Sequence, residues 1–550
     1  MEEFSILIGG KAGFGIDKSS LIIADILGDI GYRIYVYRDY PSLIRGGHTF
    51  SIIRASRKKI AVHSDKIDLL IALDQNTFDQ HKARLKEGSA VIYDSDSVKA
   101  EGIAAPLGNI IKEENAPDIM RNTAIIGGAC KAIGVDWNVA DRALRKNISG
   151  QIDLNLKIAK RVYDETVTVL TVPAAGQKQL PIVTGNEATS MGMVKAGLNT
   201  YIAYPMTPTS PILHYLAANS EKFKIKVIHP ESEIAVMLMA LGFSYCGEKV
   251  AVGTSGGGFC LMTEGLSFSA MAELPVVVIV GQRPGPSTGL PTYSTQTELH
   301  FVLSAGQGEF TRFVVAPGDA EEAYYWSGIA MNLSTKFQIP SIILTDKTLG
   351  EGSFSFDADS VKNFGPQTPL AWDRNGQYKR YLNTAAGISP LAFAPDKDAV
   401  VKVSSYEHDE SGITTEDPAI TKVMQDKRLG KEKLLRDELD GYDTVNVYGK
   451  KDSAVALLCW GSNKGVAIEA AEHFGIKVIQ PVVMSPFPLG RLKEALRGIE
   501  RLIAVENNAT GQLTSLVNKY GIGAPEKILK YDGRPFSLDE LIGRIGEIVK

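Results

Sequence analysis

The sequence predicts a multidomain α/β protein, on three observations. Short apolar runs of strand length alternate with stretches whose apolar residues recur at helical spacing along most of the 550 residues. At about 150 residues per domain, that length corresponds to roughly three to four domains. The ends of the strand-like runs are rich in Gly, Ser, Thr and Pro. In open parallel sheets ligands bind outside the carboxyl ends of strands, so these turns are where chemistry is expected.

The first region, 1–172, opens with a buried-strand pattern from Phe4 to Ile8 that runs into Gly9-Gly10-Lys11-Ala12-Gly13-Phe14-Gly15 and then a helical pattern over Asp17 to Ile30. Strand-like runs follow at Arg33 to Tyr37, Leu69 to Leu73 and Ala90 to Asp94, with helical stretches at Met120 to Ile133 and Ala159 to Val167. This alternation predicts a Rossmann-like domain with a largely parallel sheet. Periodicity breaks at Val172-Pro173-Ala174-Ala175-Gly176. A second α/β region, 180–350, has a small-residue helix to Leu198 and strands at Thr200 to Tyr204, Lys226 to His229, Val250 to Gly253, Val276 to Gly281 and Ser341 to Thr345. Residues 351–448 loosen into polar, Pro/Gly-containing and charged stretches, which read as a long ordered connection of the kind that wraps another chain. A smaller α/β domain, 449–550, closes the chain with strands at Ala454 to Trp460, Lys477 to Gln480 and Leu502 to Glu506 and a helix at Gly465 to His473.

Composition narrows the function. Hydrophobic residues make up 44% and charged residues 22%, and 59 Lys+Arg against 63 Asp+Glu leave a net charge of −4, which excludes a disordered chain and a general nucleic-acid binder. The four cysteines, Cys130, Cys246, Cys260 and Cys459, have no metal-like spacing, so a disulfide scaffold, a Cys-rich zinc site or a self-contained iron–sulfur cluster is not expected. The acidic start MEEFSILIGG lacks the basic segment of a secretory signal, which predicts a cytoplasmic protein. Apolar runs such as Leu274 to Val280 fall far short of the roughly 20 residues of a membrane span.

Each motif has a functional and a plain reading. The glycines of Gly10-x-x-Gly13-x-Gly15 would let the backbone approach a phosphate at a helix N-terminus, or would only pack strand on helix; no GK[ST] ending follows, which argues against a nucleoside-triphosphate loop. Ser42-Leu43-Ile44-Arg45-Gly46-Gly47 offers a guanidinium and backbone N–H groups to an anion, or is a strand entry with a solvated Arg. In Tyr204-Pro205-Met206-Thr207-Pro208 two prolines stiffen a turn and fix the Thr207 hydroxyl, while Thr209 or Ser210 would cap a helix. Glu231-Ser232-Glu233 opens an apolar helix, where acids complement the helix dipole or a carboxyl is buried against a heterocycle. Thr254-Ser255-Gly256-Gly257-Gly258 would admit a flat ring or a neighbouring subunit, or would only pack helix on sheet. Gln282-Arg283-Pro284-Gly285-Pro286 to Pro291 is too long and polar for a simple turn.

As an ordered set these motifs resemble the 2-oxoacid:ferredoxin oxidoreductase family, specifically its α subunit with the γ domain fused at the N-terminus. Glu407-His408-Asp409-Glu410-x-Gly412 and Thr415-Glu416-Asp417 in the connection are similar to the family as well, and the last domain looks like its transketolase C-terminal-type domain. The resemblance implies a thiamine diphosphate enzyme that oxidatively decarboxylates a 2-oxoacid, joins the acyl group to coenzyme A and passes electrons to ferredoxin. In such enzymes the cofactor lies between two chains. The α chain holds the aminopyrimidine, and a β subunit binds the diphosphate and magnesium and carries a [4Fe–4S] cluster, in an αβ or (αβ)2 assembly. The absence here of a GDG-type motif and of clustered cysteines agrees with that division.

By the same resemblance, Glu233 is the catalytic carboxyl that hydrogen-bonds the pyrimidine, with Glu231 as the fallback. Thr254, Ser255, Gly256 and Gly257 flank the ring. Tyr204, Pro205, Thr207, Arg283 and Tyr293 face the 2-oxoacid, and Gly13, Gly15, Arg45, Gly46 and Gly47 contact coenzyme A. One departure stands out: many family members have a basic residue where this chain has Tyr293 after Gly289-Leu290-Pro291-Thr292. Loss of a charge-assisted bond there points to another 2-oxoacid or another anchor. The competing functions are a non-oxidative thiamine diphosphate decarboxylase or transketolase-like enzyme, and a non-catalytic coenzyme A- or nucleotide-binding subunit.

Overall fold

A computed structural model describes residues 2–41, 47–523 and 526–549. It divides into two compact units, one formed by Met1–Thr184, Glu351–Asp357 and Phe536–Lys550, the other by Gly185–Gly350 and Ala358–Pro535. Among the described residues no helix is long and apolar enough to cross a membrane.

The first unit holds β1 (Glu3–Lys11), β2 (Arg33–Asp39), β3 (His48–Ser56), β4 (Ile67–Ala72), β5 (Leu85–Asp94), β6 (Ile103–Ala105) and β7 (Ile182–Thr184). In the second lie β8 (Thr200–Ile202), β9 (Lys226–Ile228), β10 (Val250–Ser255), β11 (Val276–Gln282), β12 (Phe313–Val315) and β13 (Pro340–Asp346). Strand β14 (Ser353–Ser355) returns to the first unit. The second is completed by β15 (Val445–Gly449), β16 (Val455–Leu458), β17 (Lys477–Pro481), β18 (Val483–Ser485), β19 (Arg501–Glu506) and β20 (Glu526–Leu529).

The first sheet has the order β6-β5-β4-β1-β3-β2-β14-β7 and is mixed, which corrects the expectation of a largely parallel one. Strands β1, β4, β5 and β6 run parallel, whereas the pairs β1–β3, β3–β2, β2–β14 and β14–β7 are antiparallel. The reason lies in the link between β2 and β3. Residues 40–47 are too few for the crossover of a dozen or more residues that parallel neighbours need. The sequence patterns did not single out β3, because this strand carries Arg54 in its buried run. Arg54 is 2% exposed and reads as polar, yet it donates to both Glu3 carboxylate oxygens and to the Val62 carbonyl.

The second sheet has the order β18-β12-β13-β11-β10-β8-β9, parallel except for the β12–β18 edge. Strands β10, β11 and β13 are buried along their full length, as strands covered by helices on both faces must be, and each carries a continuous apolar stretch, at 250–252, 276–280 and 342–344. The chain goes from β8 outward to β9 and then back across β8 to β10. This reversal creates a topological switch point, where a crevice opens at the carboxyl ends of the strands.

The third sheet, β15-β17-β16-β19-β20, packs in the same unit, and one apolar cluster runs through Val314, Ile342, Trp460 and Ile479. A buried Lys464 reinforces the junction by pairing with Asp319 at 2.6 Å and Glu322 at 2.8 Å. Much of the connection seats on its own unit. Arg380 donates to the carbonyls of Ala272 and Glu273, and Tyr381 packs on His408 with ring centroids 3.8 Å apart. It ends in a helix, Pro418–Leu439, that the apolar pattern did not reveal. Asp417 caps it by accepting from the N–H groups of Ala419 and Ile420, with Pro418 in the first turn.

Candidate active site at the edge of the second sheet

The loops that leave β8, β9, β10 and β11 converge at the switch point, and each is held by identifiable bonds. After β8, the Asn186 side-chain amide donates to the Pro208 carbonyl at 2.9 Å, and the Thr209 hydroxyl bridges the carbonyls of Met206 and Thr254 at 3.0 and 3.2 Å. A Cβ on Gly281 would lie 2.8 Å from Pro208, so glycine there is what lets this loop settle on the end of β11. Thr207 presents its carbonyl to Arg283, whose Nη1 donates at 3.1 Å. Tyr204 and Pro205 are exposed on the same loop, with the Tyr204 ring 6.0 Å from that of His229.

After β9, Ser232 caps the helix Glu233–Tyr245 by accepting from the Ala235 N–H. This geometry turns Glu233 inward, to 5% exposure, and leaves Glu231 exposed. After β10, Thr254 and Ser255 are fully buried and the glycine turn leads into the helix Gly256–Met271. A Cβ on Gly258 would stand 2.5 Å from Glu233 Oε1, and one on Gly256 would stand 2.8 Å from Glu298 Oε1. Gly257 between them is exposed, and a Cβ there would have only the Ser287 carbonyl, at 3.9 Å, within 4 Å. The turn is thus bare on one face and flanked by two carboxyls.

Glu298 was not among the residues singled out in the sequence. It stands at the N-cap position of the helix Leu299–Ser304, where an acid reads as a dipole complement, yet its side chain makes no cap hydrogen bond. Instead Oε1 accepts from the Thr297 hydroxyl at 2.9 Å, and the Glu298 N–H donates to Gln282 Oε1 at 3.2 Å. Burial pushes the Glu298 carboxyl up to about 7, against the opposing pull of the Thr297 hydrogen bonds and the Arg283 charge. Burial also lowers the Arg283 guanidinium, although Glu298 and Glu233 both favour its charged form.

Four buried polar side-chain atoms of these segments have no hydrogen-bond partner among the described residues: Ser255 Oγ, Arg283 Nε, Thr292 Oγ1 and Glu298 Oε2. Buried groups left unpaired cost about 1–3 kcal/mol each, so their concentration along the loops of one sheet edge marks a surface shaped for a polar ligand. A flat heterocycle with ring nitrogens and an amino group fits this set. It needs an open glycine face, a buried carboxyl and a few unspent donors and acceptors.

The segment that carries Glu298 is held from the third sheet. The Gln296 side chain donates to the Trp460 carbonyl at 2.8 Å and accepts from Asn463 at 2.7 Å and from the Asn507 N–H at 3.0 Å. Tyr293 lies with the Arg534 guanidinium 4.2 Å from its ring centroid and Lys347 Nζ at 5.8 Å. The Tyr293 ring therefore receives cations from two other segments.

In the first unit, Gly13 and Gly15 have positive φ values of 93° and 68°, and Gly15 directly precedes the helix Ile16–Asp29. The Ala12 N–H donates to the Gly47 carbonyl at 3.0 Å, which ties the glycine turn to the segment ahead of β3. Arg45 and Gly46 lie outside the described residues. Gly13, Gly15 and Gly47 thus form one group, in the first unit, and Glu233, Thr254 to Gly257, Tyr204 to Thr207, Arg283 and Tyr293 form another, in the second. Among the described residues no group of three or more His, Cys, Asp or Glu side chains is arranged to hold a metal ion.

Comparison with known proteins agrees with this geometry. The family described as Pyruvate flavodoxin/ferredoxin oxidoreductase, thiamine diP-bdg matches residues 191–426, and that described as Pyruvate ferredoxin/flavodoxin oxidoreductase matches residues 5–165. The 2-oxoacid:ferredoxin oxidoreductase subunit alpha of Saccharolobus solfataricus is 31% identical, over 99% of this chain and 98% of its own. The 2-oxoglutarate oxidoreductase subunit KorA of Mycobacterium tuberculosis is 26% identical, over 100% of this chain and 93% of its own. A solved structure, the 2-oxoglutarate:ferredoxin oxidoreductase from Magnetococcus marinus with 2-oxoglutarate, coenzyme A and succinyl-CoA bound, superposes with a TM-score of 0.90 at 28% identity over 100% of both chains. With relatives matched end to end and a thiamine-diphosphate-binding domain spanning the switch-point crevice, the chain belongs to the 2-oxoacid:ferredoxin oxidoreductase family, as an α subunit.

Proposed function

We propose that this α subunit contributes the aminopyrimidine side of a thiamine diphosphate site and the coenzyme A-binding region of a complex. In the overall reaction a 2-oxoacid and coenzyme A become acyl-CoA and carbon dioxide, and two electrons leave for ferredoxin. The observation that carries the reading is the burial of Glu233 against the glycine turn at the switch point. On this reading residues 180–350 form the pyrimidine-binding domain and residues 1–172 the γ domain, where Gly13, Gly15 and Gly47 receive coenzyme A.

When bound, thiamine diphosphate supplies the electron sink for cleaving the bond between the keto carbon and the carboxyl group. Glu233 would hold a ring nitrogen of the cofactor, and a carboxyl at 5% exposure makes that bond in a low-dielectric setting where it is strong. Thr254, Ser255, Gly256 and Gly257 would line the ring. Arg283, braced by the Thr207 carbonyl, would take the substrate carboxylate, with the Thr207 hydroxyl and Tyr204 and Pro205 beside it.

The diphosphate, magnesium and [4Fe–4S] sites are assigned to a β subunit. Of the four cysteines here, Cys130 and Cys459 are buried singly and Cys246 and Cys260 are exposed. A covering partner is further supported by Ile234, Leu238, Met239 and Leu261, each about half exposed on the two helices that carry Glu233 and the glycine turn. The test is to purify the complex and measure CoA-dependent viologen reduction with a panel of 2-oxoacids. Glu233→Ala is expected to abolish reduction with every substrate while the subunits still copurify. Full activity in that variant refutes the Glu233 role, and aldehyde formation without electron transfer refutes the oxidative reading.

A further inference from the structure

Glu233 is one of two carboxyls that flank the glycine turn. Glu298 Oε1 approaches the turn from the side of Gly256, as Glu233 Oε1 does from the side of Gly258. The position of Glu298 is fixed independently of any ligand. Its backbone is bonded to Gln282 at the end of β11, its Oε1 to Thr297, and the segment before it to the third sheet through Gln296. Its other oxygen, Oε2, is buried with no hydrogen-bond partner, as is Nε of Arg283. A carboxyl held this firmly, with one oxygen left unsatisfied and its backbone bonded to the residue that precedes Arg283, is built to interact with something the crevice receives.

We propose that Glu298 is a positioning residue that sets how strongly Arg283 holds the carboxylate of the 2-oxoacid. This inference rests on the proposed function and adds a residue to it. The charged groups that act on Glu298 are Arg283 from the loop after β11 and, through Arg283, Glu233 from the helix after β9; His300 follows in the helix that Glu298 precedes. Of these, Arg283 contributes the favourable charge on Glu298.

Two states follow. When Glu298 is neutral, the Arg283 charge is directed to an incoming carboxylate. When it is ionised, the same guanidinium is partly neutralised, and the substrate anion meets a carboxylate nearby. Binding of the anion therefore favours the protonated form, and affinity falls as pH rises through the range where burial has placed this carboxyl, near 7. By linkage, substrate binding takes up a proton.

The test uses the assembled complex and oxamate, an unreactive mimic of a small 2-oxoacid. Calorimetric titrations at neutral pH, in buffers of different ionisation enthalpy, read the protons taken up per oxamate bound. Wild-type complex is expected to take up a fraction of a proton, and to bind oxamate about fivefold more weakly at high than at low pH. In Glu298→Gln the uptake and the pH dependence both vanish, and the KM for the 2-oxoacid becomes flat with pH while kcat changes little. Proton uptake in Glu298→Gln equal to wild type overturns the proposal, and so does wild-type binding without any uptake, a measurement that needs no variant. Both results leave the 2-oxoacid reading standing. That reading fails separately if the wild-type complex reduces viologen with no 2-oxoacid.

Discussion

At the residue scale, the site depends on what glycines leave out as much as on what side chains add. Gly258→Ala would drive a methyl group to within 2.5 Å of Glu233 Oε1, well inside van der Waals contact, in a fully formed turn. That variant is expected to lose nearly all CoA-dependent reduction and to bind thiamine diphosphate at least tenfold more weakly in the complex, as equilibrium dialysis would show. Glu298 gives a prediction with a sign. Its folded-state value of about 7 lies above the usual carboxylate value of 4.5, so the fold favours the protonated form; the associated stability is complete below pH 4.5 and is lost as pH rises to about 7. The loss is on the order of 3 kcal/mol at about 1.4 kcal/mol per unit. Glu298→Gln should match wild type in chemical denaturation near pH 4.5 and exceed it in stability at pH 8. Glu233 was singled out in the sequence by the family motif, since two acids at a helix start read first as dipole complements. Glu298 was not, because its partner Gln282 and its neighbour Gly256 are distant in sequence and its local setting reads as an ordinary helix start.

The elements show the same division. Strands β10, β11 and β13 announce themselves because burial on both faces gives each a continuous apolar stretch, with its polar residues confined to the strand ends. The helix Pro418–Leu439 is hidden for the opposite reason, since it points lysines inward. Lys427 and Lys431 are almost wholly buried and donate to Glu273 at 2.6 and 2.5 Å, at the end of the helix that begins with the glycine turn. The two lysines hold the Glu273 carboxyl far below the usual carboxylate range, despite its complete burial. Removing one partner of such a cluster strands uncompensated charge, which typically costs about 3–5 kcal/mol. Glu273→Ala should therefore lower the unfolding free energy by that amount, and hydrogen exchange should show the Pro418–Leu439 helix opening first. Retention of wild-type stability would mean the lysines find other partners. The mixed character of the first sheet was illegible because it depends on the length of one short link, not on the apolar pattern.

For the whole molecule, the sequence conveyed a succession of α/β regions, while the joining of the second and third sheets into one unit became visible only in the fold. Polar side chains such as Gln296, Lys464 and Asn508 make that junction, and buried polar networks leave no periodic trace. The half-exposed apolar residues on the helices beside the crevice belong to this scale as well. Leu238→Asp is expected to reduce recovery of the β subunit in copurification severalfold while leaving the melting temperature of the α subunit within a degree or two, since the side chain is already half in water. Unchanged recovery would place the partner elsewhere. Gln296 has a consequence for reshaping the enzyme. One side chain gathers the backbones after β16 and β19 and, through its own N–H and carbonyl, is gathered by Asn507 and Asn508 in return. Replacing residues in the stretch from Thr295 to Thr297 would unsettle a layer of the protein that never meets substrate. Attempts to widen the substrate range by directed evolution should therefore yield their tolerated changes upstream, between Pro284 and Tyr293, where the loop is bound mainly to itself and to the Gly533–Arg534 segment.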